Sequence, residues 1–405
     1  MSDRSHIVII CPACSGMGSV SGVALHHAVE LSKYFRVTLV SDSFPDTGQT
    51  GVEFLKVTPR RFDYLRRFCH VPNEYSFATS VRHDIEMMHK DNAIDMTICH
   101  GHAVATLSAK PLKEKYGIPY ALVTHGDIFD RPKGTYDWRL TVFYKWLTPT
   151  AYRNADLILA LSPHMAACAI KGGSSPGVVK VVPNGIDPAD IGLDENTLQV
   201  RGKRERKKND PIRLLFVGRL SVEKGVDILI RACKILKERN VPFSLDVIGT
   251  GPLKKALDAM VVEAHLADRI TFLDKIERRL LGTHYQKADL VCVPSVSDPL
   301  PTVVLEALLT GVPVLGSDVG GIPFIVETGK NGVIVPHLDA SPTADAIEGL
   351  YRNNEVLAYL TENACASVHP RFLWDTVGQR IGSAIEETLA RHRHELLSSE
   401  LRFVR

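Results

Sequence analysis

The residues best suited to chemistry are two carboxylates with seven residues between them, Asp298 and Glu306. They bracket a turn that follows the apolar run Leu290 to Val293, which stops at Pro294 and Ser295. A short unbroken apolar run ended by turn formers reads as a buried parallel strand. The prolines at 299 and 301 then delay a helix over Val303 to Leu309, for which Thr302 is the natural N-cap. A second apolar strand, Val312 to Leu315, leads into the loop Gly316 to Pro323. Units of this kind gather ligands at the carboxyl ends of their strands. Free N–H groups near Thr302 and Val303 attract an anion there. A carboxylate beside them can accept hydrogen bonds from hydroxyls, so one turn can hold a phosphate and sugar hydroxyls together.

Two cations stand in an equivalent place. Gly218-Arg219-Leu220 and Glu223-Lys224-Gly225 follow directly on the apolar run Ile212 to Val217. Arg219 can grip a diphosphate as a fork and Lys224 as a point charge. Two ordinary surface cations are the alternative, but the dipole of a helix start disfavours them. Gly249-Thr250-Gly251 follows the run Ser244 to Ile248; a dinucleotide fingerprint needs a third glycine where the chain has Lys254. In the first half, a loop with Gly16, Gly18 and Gly22 follows the run His6 to Cys11, and either cradles a phosphate or makes a tight turn. His125 closes the run Tyr120 to Thr124. A lone histidine is more often structural, but a strand's carboxyl end favours a site. His100 and His102 have no matched partner pair, so no metal site is expected. Pro183-Asn184-Gly185-Ile186-Asp187 reads as a turn in which Asn-Gly supplies positive φ and Asp187 caps. Cys11 and Cys14 lack the context of a redox pair.

The elements that must position these residues alternate between strand and helix. In the first half, strands fall at His6 to Cys11, Arg36 to Val40, Ile94 to Cys99, Tyr120 to Thr124, Leu157 to Ala160 and Val178 to Val182, with a helix over Val23 to Tyr34. Such alternation predicts a parallel sheet covered on both faces. Gln199 to Asp210, rich in Arg and Lys, reads as a solvated interdomain linker rather than a nucleic-acid patch. The pattern then restarts from Ile212, giving two Rossmann-like α/β domains. A chain of 405 residues supports that count. Charged residues are 23% and the formal net charge is +2, so no global field selects nucleic acid. No apolar run approaches the ~18 residues that span a bilayer. His6 to Cys11 is shorter than the ~7–15 apolar residues of a signal-peptide core. Eight scattered cysteines indicate reduced thiols and a cytoplasmic protein. Arg60, Arg61, Arg66 and Arg67 alternate with Phe62, Tyr64, Leu65 and Phe68; the stretch either touches anionic lipid or packs its aromatics inward.

Asp298-x7-Glu306 resembles the acid-x7-acid signature of the family-4 retaining glycosyltransferases, which have the GT-B fold. The usual first acid there is Glu, and the usual Glu after Gly-Gly-Ile-Pro is Phe324 here. Gly-Arg-Leu with Lys-Gly, and Pro-Asn-Gly-Ile-Asp, are similar to family motifs and occur in family order. The resemblance implies two Rossmann-like domains facing across a cleft: residues 1–198, joined by a C-terminal helix at about 385–405 that crosses back, and 199–384 as the nucleotide-sugar domain. It implies a metal-independent reaction without a cofactor, in which Arg219 and Lys224 supply the diphosphate's counter-charge. Glu306 would meet ribose, Asp298 and His125 the donor sugar, and Thr302 and Val303 phosphate. Gly18 and Gly22 would lie beside the diphosphate, and Gly218, Gly249 and Gly251 would admit the nucleotide. The expected activity is retaining transfer from a UDP- or GDP-sugar to a glycan, lipid-linked or small-molecule acceptor, with peripheral membrane contact left open. A nucleotide-sugar epimerase and a non-catalytic binding subunit are the alternatives.

Overall fold

The runs read as strands fall into two wholly parallel sheets in a computed structural model that describes residues 4–12, 19–44, 51–59, 71–126, 138–194, 206 and 209–403. The first sheet contains β1 (His6–Ile10), β2 (Arg36–Ser41), β3 (Glu53–Lys56), β4 (Met96–His100), β5 (Tyr120–Thr124), β6 (Leu157–Ala160) and β7 (Val179–Val181), in the order β3-β2-β1-β4-β5-β6-β7. The second contains β8 (Ile212–Val217), β9 (Phe243–Ile248), β10 (Ile270–Leu273), β11 (Leu290–Val293), β12 (Val314–Ser317) and β13 (Gly332–Val335), in the order β10-β9-β8-β11-β12-β13. Every residue of β1, β4, β5 and β11 is buried, which is why they read as unbroken apolar runs. In each sheet the winding reverses beside the first strand, between β1 and β4 and between β8 and β11. Those reversals are the topological switch points where open α/β sheets bind ligands.

Three helices bear directly on these switch points and on the division of the chain: α1 (Ser19–Ser32), α2 (Thr302–Leu309) and α3 (Trp374–Phe403). α1 starts earlier than expected, so Gly22 lies within a helix and not in a glycine loop; Gly16 and Gly18 lie outside the described residues. β12 starts two residues later than expected, because the Val312 N–H closes α2 by bonding to Ala307 O. The strands β3 and β13 were not expected. β3 is a largely exposed edge, and β13 is only four residues long. Among the described residues no helix is long and apolar enough to cross a membrane. The basic-aromatic stretch Arg60 to Phe68 lies outside them.

The chain divides into Met1–Gly185 with Trp374–Arg405, and Ile186–Leu373. These points differ from the expected 198/199 and 384/385. Residues 186–193 pack with the second unit: Ile186 N donates to Phe372 O at 2.8 Å, and Asp187 caps the turn Pro188–Ile191 through Ala189 N. At the other end, one continuous helix, α3, starts at Trp374 and packs on α1 within the first unit. Gly378 permits that contact, since a Cβ there would stand 2.6 Å from Glu30 Cβ. The Asn184-Gly185 turn also departs from expectation, for neither residue has positive φ. Gly185 is required because a Cβ would fall 2.3 Å from the Trp374 ring.

Gly192 combines φ +73° with a would-be Cβ 1.8 Å from the Arg279 carbonyl oxygen. Gly329 has φ +80° and open space around it. Gly192→Ala carries both the left-handed penalty of about 1–2 kcal/mol and a backbone collision, Gly329→Ala only the first. Thermal melts should show the larger fall for Gly192→Ala, at about 2–4 °C per kcal/mol in a unit of this size. Equal falls would mean that residues 186–193 are not held against Arg279.

Candidate functional site

At the β8/β11 switch point three loops lie on one another through their backbones. The loop after β8 runs from Gly218 through a short turn, Val222–Lys224, to Gly225 at φ +64°. A Cβ on Gly225 would fall 2.0 Å from Pro294 O in the loop after β11. Glu223 O accepts from Val296 N at 2.9 Å and binds the same two loops together. Lys224 Nζ, at the end of this turn, forms an ion pair with Asp298 Oδ2. Asp298 is 5% exposed, so a buried carboxylate is neutralised by a partly exposed ammonium. The third loop, after β12, supplies Gly320 and Gly321. Their Cβ atoms would stand 1.8 Å from Asp298 O and 2.2 Å from Pro299 O, and Gly321 N donates to Asp298 O at 3.0 Å. Phe324, where the resembled family has Glu, stacks edge-on with Phe372 and takes Arg371 over its ring.

Gly249 and Gly251 serve a similar end. Gly249, at φ +137°, would place a Cβ 1.9 Å from Gly218 O, and Gly251 would place one 2.3 Å from Leu220 O. Leu220 N donates to Thr250 O, and Leu253 N to Leu220 O, both at 3.0 Å. The chain's own backbone therefore fills the space that the glycines open. Arg219 projects from this braced loop, exposed and without a side-chain partner among the described residues. Thr302 is the first residue of α2 and not its cap; Pro301 holds the cap position without a side-chain bond. In the first turn the Val304 N–H donates to Pro301 O at 3.1 Å, while those of Thr302 and Val303 have no intrahelical acceptor.

Glu306 sits one turn into α2, 3% exposed. Tyr285 OH donates to its Oε2 at 2.7 Å and Arg278 Nη2 to its Oε1 at 3.1 Å; Arg278 also meets Asp190 Oδ2 at 3.5 Å. Burial, reinforced by the Glu306 charge, pushes the Tyr285 phenol well above its ordinary value, so it remains a donor. Arg278, Tyr285 and Asp190 were not found by sequence reasoning. They are scattered along the chain, and only the tertiary fold gathers them.

In the first unit, histidines collect near the β1/β4 switch point. His100 ends β4, His125 follows β5, and His27 lies on α1. His100 Nδ1 and His125 Nε2 are 2.8 Å apart, and the His27 and His100 ring centroids are 5.2 Å apart. His26 stacks on Trp374 at 4.5 Å. Among the described residues no three His, Cys, Asp or Glu side chains are grouped as metal ligands.

Burial, then neighbouring imidazoles, pushes His27 down to about 3 and His125 to about 4, and holds His100 well below its usual value. The unfolded chain titrates near 6.5 and binds more protons than the folded one below that pH. The stability these groups contribute is thus complete above pH 6.5 and is lost as pH falls from there toward about 3, the His27 value. A fully buried imidazole such as His27 sets a slope of up to about 1.4 kcal/mol per pH unit. Melting temperature should therefore fall with acid across this window, and less steeply in His27→Leu. An unchanged slope in that variant would show that the cluster does not govern acid sensitivity.

Residues 20–190 match the family described as Glycosyltransferase Family 4, and residues 201–366 that described as glycosyl transferases group 1. An uncharacterized glycosyltransferase of Methanocaldococcus jannaschii is 29% identical over 290 residues, 70% of this chain and 73% of that protein. Alpha-D-kanosaminyltransferase of Streptomyces kanamyceticus is 25% identical over 71% of this chain and 76% of its own length. Among solved structures, sucrose-phosphate synthase of Thermosynechococcus elongatus superposes with a TM-score of 0.78 at 19% identity, covering 96% of this chain and 100% of that one. HepE of Anabaena, in complex with UDP and glucose, gives 0.72 at 19% identity over 95% and 100%. With both halves matched, and two parallel α/β sheets each wound about a switch point, the chain belongs to the group 1 glycosyltransferases of the GT-B type.

Proposed function

We propose that the protein transfers a glycosyl group from a nucleoside-diphosphate sugar, of the UDP or GDP kind, to a hydroxyl of a carbohydrate or lipid-linked acceptor, with retention of configuration. One observation carries this reading: the exposed Arg219, the Lys224–Asp298 pair and the first turn of α2 all belong to loops at one switch point. Arg219 supplies a fork for the diphosphate. Lys224 has three N–H donors, so it can hold Asp298 and a phosphate oxygen at once. The carbon–oxygen bond between the sugar and the diphosphate breaks with its electron pair going to the leaving oxygen. The acceptor hydroxyl bonds to the same carbon from that face and passes its proton to the departing phosphate. Negative charge grows on the leaving group during this step, where a preorganised cation contributes most. Glu306, braced by Tyr285 and Arg278, takes the ribose hydroxyls, and His125 the sugar. HepE's complex with UDP and glucose supports the donor class. The relatives named above are transferases, which does not favour the epimerase or non-catalytic alternatives.

A nucleoside diphosphate should raise the melting temperature without added divalent metal, and Arg219→Ala should remove most of that shift. Ligand at ~100 times its dissociation constant adds about 2.7 kcal/mol. Stabilisation that appears only with magnesium or manganese would overturn the metal-free assignment.

Lys224→Ala should lower turnover by about 10²–10³-fold while changing donor affinity less. Because that change also strands a buried carboxylate, Lys224→Ala with Asp298→Asn serves as its partner variant. The double variant should recover melting temperature but not turnover. Normal turnover in Lys224→Ala would remove this lysine from leaving-group stabilisation.

A further inference from the structure

The His100–His125 pair admits two arrangements of one proton, and they are not equivalent. Either His100 Nδ1–H donates to His125 Nε2, or His125 Nε2–H donates to His100 Nδ1. His100 Nε2 is buried and has no hydrogen-bond partner among the described residues. In the second arrangement His100 must carry its ring proton on that nitrogen, as an orphaned buried donor, and such donors are rare in native proteins. In the first arrangement the same nitrogen keeps only a lone pair, which is easier to leave unmade. His125 differs: it is only partly buried, and among the described residues its Nδ1 has no partner. The charges that act on the pair among the described residues come from His27 and His102, both imidazoles, so neither ring is drawn toward the doubly protonated form.

We propose that His100 sets the tautomer of His125: its Nδ1–H donates to His125 Nε2, so His125 carries its proton on Nδ1 and presents a donor, not an acceptor, to its ligand. The orienting group is buried and the oriented one reaches solvent, the usual division between a positioning residue and the residue it positions. Resting on the proposed transferase reading, this gives His125 a defined task, donation to a hydroxyl oxygen of the bound sugar. It also makes His100 a positioning residue, which acts only through His125.

The test is two-bond nitrogen–proton correlation spectra of the full chain labelled with ¹⁵N-histidine at near-neutral pH, with peaks assigned through His100→Asn and His125→Gln. The expected result is a protonated Nδ1 and bare Nε2 on both His125 and His100 in the unaltered protein. A protonated Nε2 on His125 overturns the proposal whatever the activity. His100→Phe removes the donor that fixes the ring, so His125 should lose its pure Nδ1–H pattern and show a mixture of tautomers, with transfer falling about tenfold or more. His100→Asn, whose amide N–H takes the place of Nδ1–H, should restore the tautomer and bring transfer to within about threefold of the unaltered protein, in keeping with one replaced hydrogen bond. If the spectra agree but His100→Phe transfers normally, the tautomer assignment stands and the sugar-contact role of His125 falls. If the unaltered protein transfers nothing, the transferase reading falls while the spectra still decide the tautomer.

Discussion

Backbone-on-backbone contact is the constraint on which the second unit's site depends. Four carbonyl oxygens, those of Gly218, Pro294, Asp298 and Pro299, lie so close to glycines 249, 225, 320 and 321 that a single methyl group would displace them. Loops that touch at this distance cannot slide past one another without breaking hydrogen bonds such as Gly321 N to Asp298 O. Side chains carried on such loops inherit that rigidity. Arg219, Lys224 and Asp298 are thus placed by main chain rather than by their own packing, which suits groups that must meet a charged ligand without reorganising.

The two carboxylates of the signature live under different rules. Asp298 is neutralised by one cation that is itself partly exposed, so a ligand can share that cation. Glu306 already has a donor on each oxygen and almost no exposure, so any hydroxyl it accepts must add to Tyr285 and Arg278 or replace one of them. Arg278 also reaches Asp190, in the segment that enters the second unit just after Gly185. The chain's crossing and the buried acid of α2 are therefore joined through one guanidinium.

How much of this was legible beforehand depends on the range of each signal. β5, β6, β8 and β11 are fully or mostly buried, and their apolar runs mark their ends to the residue. The exposed edge β3 carries no such run. Thr302 has the right chemistry for a cap but comes one residue too late, because Pro301 already turns the chain into α2. The glycines of Gly-Thr-Gly and Gly-Gly-Ile-Pro could be read as special positions, yet their partners are carbonyls far along the chain. The contact that requires glycine at 249 and 251 is accordingly loop to loop, with Gly218 O and Leu220 O. Asn184-Gly185 shows the same limit: the dipeptide suggests positive φ, while the reason for glycine is the Trp374 ring. The histidine cluster was invisible, because His27, His100 and His125 come together only when β4, β5 and α1 are assembled.

The division at Gly185 and Trp374 also bears on how the protein is made. Every strand of the second sheet comes from one uninterrupted stretch, Ile186–Leu373, so its core can close as soon as that stretch is available. The first unit has all seven of its strands earlier in the chain, yet the helix that covers α1 is supplied by residues beyond Leu373. During synthesis, where earlier domains ordinarily mature first, α1 and its neighbours must wait with an uncovered face. The unit translated later is complete before the one translated earlier.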